Sequence, residues 1–354
     1  MKLNATQLLE KVVDQKASDL HISVGSKPFL RINTLLRPIE EYPPMTVDDV
    51  EYILSQILDT KQRELLEINK EIDFSIALGQ KARFRVNSFF QKGYPSISLR
   101  HIPIDIPSFE QLHLPPNIEN LCSLKQGLFL VVGPAGHGKS TTIASMIEKI
   151  NAGRPEHIIT IEDPIEYIFV NKKSLIEQRE MYLDTHSWDV ALRSILRQDP
   201  NIVFIGEMRD TETIRAALQI AETGHLVLTT LHTNSASQTV DRIISSFAAE
   251  KQNEIKTQLS QVIQVIVSER LIPSAQHGIV PAFEIMVNND AIANLIREGK
   301  AHMIDNVINT SAQSGMISLE KSIADLINSK LITFEDGIKY CPRPVELKRL
   351  VDRG

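Results

Sequence analysis

At 354 residues the chain is long enough for two or three domains, and 42% apolar residues supply their cores, which excludes a disordered protein. A net charge of −6 argues against a protein whose main task is coating nucleic acid, although it leaves room for a local basic channel. Two cysteines, Cys122 and Cys341, are too few and too far apart for a disulfide framework or a zinc ribbon, which fits a reducing compartment.

The opening stretch, MKLNATQLLEKVVDQ, reads as an amphipathic helix, since it lacks the continuous apolar centre of a signal peptide. Nothing later approaches the ~18 uninterrupted apolar residues of a membrane span, so a cytoplasmic protein is expected. Residues 1–100 contain the β-rich stretches DLHISVGSKPFLRINTLLRPI and ARFRVNSFFQKGYPSISLRHI, broken by Gly and Pro and mixed with short helices. This predicts a small α+β domain. Residues 101–116 carry Pro103, Pro107, Pro115 and Pro116, which disfavour long regular elements and predict a linker.

The pattern changes at Gly127. GLFLVVG, HIITIE, NIVFIG and HLVLTTLH are short, continuously apolar strands, with helical segments such as KSTTIASMIEKIN between them. Strands apolar on both faces that alternate with helices predict a parallel sheet covered on both sides, so 117–275 is read as an α/β domain. After about Ile272 the segments AIANLIREGKAHMIDNVINTS and SLEKSIADLINSK are helical in character, and 276–354 is read as a helical C-terminal region.

The chemistry begins with GPAGHGKS, which fits G-x-x-x-x-G-K-[ST] between an apolar strand and a helix. Its glycines let the backbone aim N–H groups at phosphate oxygens, and the helix that follows adds its positive end. Gly133, Pro134, Ala135, Gly136, His137, Gly138, Lys139, Ser140 and Thr141 are therefore the expected nucleotide-binding residues. Lys139 reaches the β- and γ-phosphates, and the Ser140 hydroxyl binds Mg²⁺. Such a loop needs a carboxylate at a neighbouring strand end to hold the metal's water shell, and NIVFIGEMRD supplies Glu207. Hydrolysis also needs a residue that positions water. HIITIEDPIEYIF offers Glu162, Asp163 and Glu166, and spacing does not choose among them. His225 and His232 bracket the apolar run LVLTTL. They either hydrogen-bond the strand ends or serve the ligand crevice that strand ends in a parallel sheet line.

Taken in order, GPAGHGKSTT, TIEDPIEYIF, LRQDPNIVFIGEMRDTETIRAAL and AETGHLVLTTLHTNSA resemble the Walker A, Asp, Walker B and His boxes of the secretion ATPase superfamily. The resemblance to the type IV pilus retraction ATPases, the PilT-like proteins, is close and extends to SDLHIS, RFRVNSF, DRIISSF and NLIRE. It implies an N-terminal PAS-like domain, a RecA-like P-loop ATPase core and a helical C-terminal part, assembled as a homohexamer. It implies ATP and Mg²⁺ as ligands, with Glu166 as the water-activating residue and Glu207 organising Mg²⁺, partly through water. It places His225 and His232 near the γ-phosphate and the subunit boundary, and points to Arg85 and Arg100 as arginines that neutralise phosphate charge. The implied partners are an inner-membrane pilus platform protein and a second retraction ATPase, at the cytoplasmic side of a bacterial inner membrane; no nucleic acid is expected.

The chain departs from the family in two places. The loop carries Ala135 and His137 where Thr and Ser are usual, which brings a titratable group beside the phosphates. The C-terminal motif A-I-R-N-L-I-R-E reads AIANLIRE, with Ala293 for the first Arg. That motif is tied to retraction rather than turnover, so an accessory retraction ATPase stands as an alternative to the principal one. A pilus extension or type II secretion ATPase is a further alternative, opposed by the absence of a four-cysteine zinc motif. A nucleic-acid translocase on the same core is the alternative from another class.

Overall fold

A computed structural model of the chain describes residues 4–32, 35–79, 81–102, 105–275 and 278–352. Pro103 lies outside them. The chain divides into two compact units, Met1–Asp105 with Pro164–Ile168, and Ile106–Asp163 with Phe169–Gly354. The main division, at Asp105, falls inside the stretch read as a linker.

The first unit is α+β. Its elements are α1 (Ala5–Asp14), β1 (Asp19–Ser23), β2 (Phe29–Ile32), β3 (Leu35–Pro38), α2 (Val47–Ile57), α3 (Thr60–Asn69), β4 (Glu71–Leu78), β5 (Ala82–Gln91) and β6 (Tyr94–Ile102). The strands form one antiparallel sheet in the order β3-β2-β1-β6-β5-β4. Side chains alternate across it. Along β5, Ala82, Phe84, Val86 and Ser88 are buried, and the buried apolar three join a core with Leu8 and Val12 of α1 and Ile53 and Leu54 of α2. Capping residues start the helices: Asn4 caps α1, and Thr46 with Asp49 and Asp59 with Gln62 form capping boxes on α2 and α3.

The second unit is α/β. It runs α4 (Pro116–Leu121), β7 (Gly127–Val132), α5 (Lys139–Gly153), β8 (His157–Glu162), β9 (Leu175–Glu180), α6 (Trp188–Ile195), β10 (Ile202–Ile205), α7 (Thr211–Glu222), β11 (Leu226–Leu231), α8 (Ala236–Ser245), α9 (Ala249–Val262), β12 (Ile263–Pro273), β13 (Ile279–Val287), α10 (Asp290–Glu298), α11 (Ile304–Thr310), α12 (Leu319–Asn328), α13 (Phe334–Tyr340) and α14 (Pro344–Val351). Its sheet has the order β13-β12-β7-β11-β10-β8-β9, parallel throughout except for β13. All residues of β7, β10 and β11 are buried, which is why these strands carry no charge and no apolar-polar alternation.

The region expected to be helical opens with a strand, β13. IVPAFEIMV contains Pro281, and β13 sits at the sheet edge, where a missing N–H leaves no ladder partner unsatisfied. Parallel register aligns the C-terminal ends of β7, β11, β10 and β8, so the loops that follow them share one edge of the sheet.

Candidate functional site

The phosphate loop joins β7 to α5. Gly133 and Gly138 have φ of 150° and 89°, and a Cβ on either would lie 2.5 Å from an oxygen of Glu269, the main-chain O and Oε1 respectively. Only glycine fits both the dihedrals and the close approach of β12. Gly138 offers no side chain to cap α5, and Ala135 and Gly136 are exposed at the loop tip. The first turn of a 15-residue helix therefore starts at an open loop, the arrangement that favours an anion.

Lys139 is buried, with its ammonium turned back onto its own loop. Nζ donates to the carbonyls of Gly133 (2.9 Å) and Pro134 (2.8 Å) and to His232 Nδ1 (3.2 Å). An ammonium only donates, so Nδ1 accepts and the proton of a neutral imidazole sits on Nε2. That nitrogen lies 3.1 Å from Glu207 Oε1. His232 thus bridges the loop lysine to the acid at the end of β10. The other oxygen of Glu207 accepts from Arg209 Nε at 2.8 Å, and Arg209 Nη1 approaches Asp163 Oδ2 at 3.8 Å. The hydrogen bond to Glu207 holds the Arg209 guanidinium above its ordinary value despite partial burial.

The three acids after β8 differ in surroundings. Glu162 is buried and accepts from Thr160 Oγ1 (2.6 Å) and Gln178 Nε2 (3.2 Å). Asp163 faces Arg209. Glu166 is half-buried and lies on Pro164–Ile168, the segment that groups with the first unit.

The two histidines of AETGHLVLTTLHTNSA do not share a neighbourhood. His232 follows the C-terminal end of β11, beside the loop. His225 precedes the strand, where its carbonyl accepts from Gly127 N (2.9 Å) and its Nδ1 contacts Thr223 Oγ1 (2.9 Å) and the Ile220 carbonyl (3.2 Å). It closes the turn between α7 and β11 at the opposite edge of the sheet, a strand length of about 20 Å away. The structure does not bring His225 to the phosphate loop of its own chain.

His137 points away from the open tip. Its Nδ1 accepts from Leu271 N at 2.9 Å, and its ring meets Tyr340 edge-on at 6.4 Å. Burial lowers its pKa, helped by the charges of Arg270 and Lys139, so the ring is neutral, as its accepting Nδ1 requires. A cavity of about 580 Å³ adjoins this side of the loop, lined by Pro134, His137, Asn234, Arg270 and Tyr340 among others.

Glu269 and Arg270 were not anticipated. Both are buried on β12. Glu269 Oε2 accepts from Thr142 Oγ1 at 2.8 Å. Arg270 donates to the Glu269 carbonyl (2.9 Å) and to the carbonyl (2.8 Å) and side chain (3.0 Å) of Asn234, two residues past His232. β12 thereby braces the loop after β7 and the loop after β11 together. The signal was present in QVIVSERLIP, where two adjacent charges interrupt an apolar run.

In the first unit, Arg85 on β5 and Arg100 on β6 stand directly opposite one another. The row continues across the sheet to Asp19 and Arg31. Arg100 Nε donates to Asp19 Oδ1 at 3.0 Å, and Arg31 Nε lies 3.6 Å from Oδ2. Burial works against ionisation of Asp19, but hydrogen bonds from Ser18 and Arg100 outweigh it and hold the carboxyl below its ordinary value. Arg85 is exposed and has no carboxylate partner among the described residues.

Comparison with known proteins bears on this geometry. The family model for type II/IV secretion system proteins matches residues 1–337. The chain is 42% identical over 335 residues to the type IV pilus retraction ATPase PilT of Pseudomonas aeruginosa, covering 95% of this chain and 97% of that one. It is 36% identical over 349 residues to the type IV pilus ATPase PilU of the same organism, covering 98% and 91%. Among solved structures, that of the pilus retraction motor PilT with bound ADP superimposes with a TM-score of 0.92 at 42% identity, over 98% of this chain and 99% of the other. With its family model matched over nearly the whole length and its mixed α/β core superimposed, the chain belongs to the type II/IV secretion system protein family.

Proposed function

We propose that this chain is the ATP-hydrolysing subunit of a motor that retracts type IV pili. The observation that carries the reading is the bridge from Lys139 through His232 to Glu207 at the end of the phosphate loop, in a chain similar end to end to a retraction ATPase. The triphosphate sits at the N-terminus of α5, where the free helix end and Lys139 meet its charge. Lys139 leaves the Gly133 and Pro134 carbonyls to do so. Mg²⁺ fits the residues present: Ser140 and Glu207 offer a hydroxyl and a carboxylate, hard oxygen donors. Such an ion takes much of its shell from phosphate and water. When bound, the ion neutralises charge on the transferring phosphoryl group. Glu166 activates the attacking water, and Arg85 and Arg100 act from a neighbouring subunit of a hexameric ring.

Among the described residues no helix is long and apolar enough to cross a membrane. The reading places the ring at the cytoplasmic face of the inner membrane, against a platform protein of the pilus machine, with a second retraction ATPase as a further partner. Ala293 lies half-buried on α10 between the buried Ile292 and Ile296, and alanine suits a helix. The similarity to PilT, at 42% against 36% for PilU, favours the principal over the accessory motor. Deleting the gene should leave cells with extended pili that do not retract; normal retraction would overturn the proposal.

His232 and His225 separate motor output from folding. When Lys139 turns to the phosphates, His232 loses one of its two partners, so it reports the occupancy of the site to Glu207. Asparagine is too short to bridge both groups. His232→Asn should give a folded protein that binds ATP and fails to retract pili, with turnover reduced less than in Glu166→Ala. His225→Asn should lower the melting temperature and still support retraction. Equal loss of retraction in both variants, at equal stability, would contradict the assignment.

A further inference from the structure

Glu269 lies beneath the phosphate loop and has no place in the chemistry above. It is 3% exposed. One carboxylate oxygen accepts from Thr142 in the first turn of α5, and the other packs against Gly138 so closely that a Cβ there would stand 2.5 Å away. Its main-chain carbonyl closes on Gly133 at the other end of the loop. The same residue therefore touches the first and second glycines of the motif and the helix they open onto.

We propose, on the reading that this loop binds nucleotide, that Glu269 is a positioning residue that sets the loop's affinity for the phosphates of a nucleoside di- or triphosphate: ionised, it competes with them for the charge of Lys139, and neutral, it does not. The groups around it leave few other controls. From α5, Lys139 attracts the carboxylate electrostatically. On its own strand Arg270 donates to the Glu269 carbonyl and to Asn234, not to the carboxylate. Across the ladder β13 presents Phe283. The next β13 residue, Glu284, accepts from Ala236 N at 2.7 Å and opposes Ser268. His137 turns its accepting nitrogen to Leu271 and stays neutral. Burial pushes the Glu269 carboxyl up to about 7, against the pull of Thr142 and Lys139, so both charge states are reachable near neutral pH.

The direction follows from linkage. A bound phosphate adds negative charge and draws Lys139 away, so the carboxyl holds a proton more tightly in the complex than in the free protein. Binding then takes up a proton, and affinity falls as pH rises through the free-protein value. Glu269→Gln keeps the shape and an acceptor for Thr142 while removing the charge. ADP affinity, measured by calorimetry on the full chain, should be nearly equal in wild type and Glu269→Gln at pH 6. At pH 8.5 the glutamine variant should bind roughly tenfold more tightly, the factor that one unit of pKa displacement gives. Titration of ADP itself is common to both proteins and cancels in the ratio. Thr142→Val is a second variant: it removes the donor that favours ionisation, so the fall in affinity should move to higher pH.

A Glu269→Gln to wild-type ratio that stays constant from pH 6 to 8.5 would overturn the proposal, whether the variant binds equally or more weakly throughout. An unmoved profile in Thr142→Val would also overturn it. Wild type that fails to bind ADP at any pH would instead remove the nucleotide reading on which the proposal rests.

Discussion

Replacing Glu166 by alanine is expected to leave nucleotide binding nearly intact and to lower ATP turnover by about 10²–10⁴-fold, the usual contribution of a positioned base. Glu162 is buried and held by Thr160 and Gln178, so it serves the fold, and Asp163 faces the Arg209 guanidinium beside Glu207. Glu166, on the segment Pro164–Ile168, is the acid that the proposed function gives to the attacking water. Lys139→Ala should differ, losing affinity together with rate, because under the proposed function Lys139 would meet the phosphates in both ground and transition states. Steady-state turnover beside equilibrium ADP binding separates the two. Turnover in Glu166→Ala comparable to wild type would remove Glu166 from the mechanism.

Arg85→Ala should cost about 10³–10⁵-fold in turnover, the range of an arginine that reaches a transferring phosphoryl group, without costing stability. Like charges directly opposite on adjacent strands repel. Asp19 offsets this at Arg100, whereas Arg85 stands exposed in the same row without a carboxylate partner among the described residues. A residue there for folding would not be placed so. The melting temperature of Arg85→Ala should therefore equal or slightly exceed that of wild type. If Arg85 acts on the site of a neighbour, mixing Arg85→Ala with Glu166→Ala chains should restore part of the activity, since some interfaces then pair an intact arginine with an intact acid. A mixture that assembles normally and stays inactive would exclude action between subunits.

The parts of this molecule that were legible in the sequence are those where one physical demand leaves few choices. Strands buried on both faces must be mostly apolar and do not alternate, so β7, β8, β10 and β11 announced themselves, and with them the parallel sheet. A loop that curls around phosphate needs glycine where β12 presses closest, at Gly133 and Gly138, and a lysine and hydroxyl next to them. β13 was missed because strand and helix look alike in a short apolar run, and a proline at the sheet edge carries no penalty. Glu269 and Arg270 were passed over because their role depends on β12 lying next to β7, a pairing between positions far apart in sequence that no local pattern reveals. His225 was grouped with His232 by the family resemblance. Strand rise alone argues against that grouping: residues at opposite ends of a six-residue strand do not meet the same phosphate.

Under the proposed function, hydrolysis at this loop drives pili inward. The most direct test is to image fluorescently labelled pili in living cells of the native host. Cells lacking the chain are complemented with wild type or with Glu166→Ala at equal expression. Pili should extend in both strains, retract with wild type and remain extended with Glu166→Ala. Retraction at the wild-type rate and frequency in cells carrying only Glu166→Ala would contradict it.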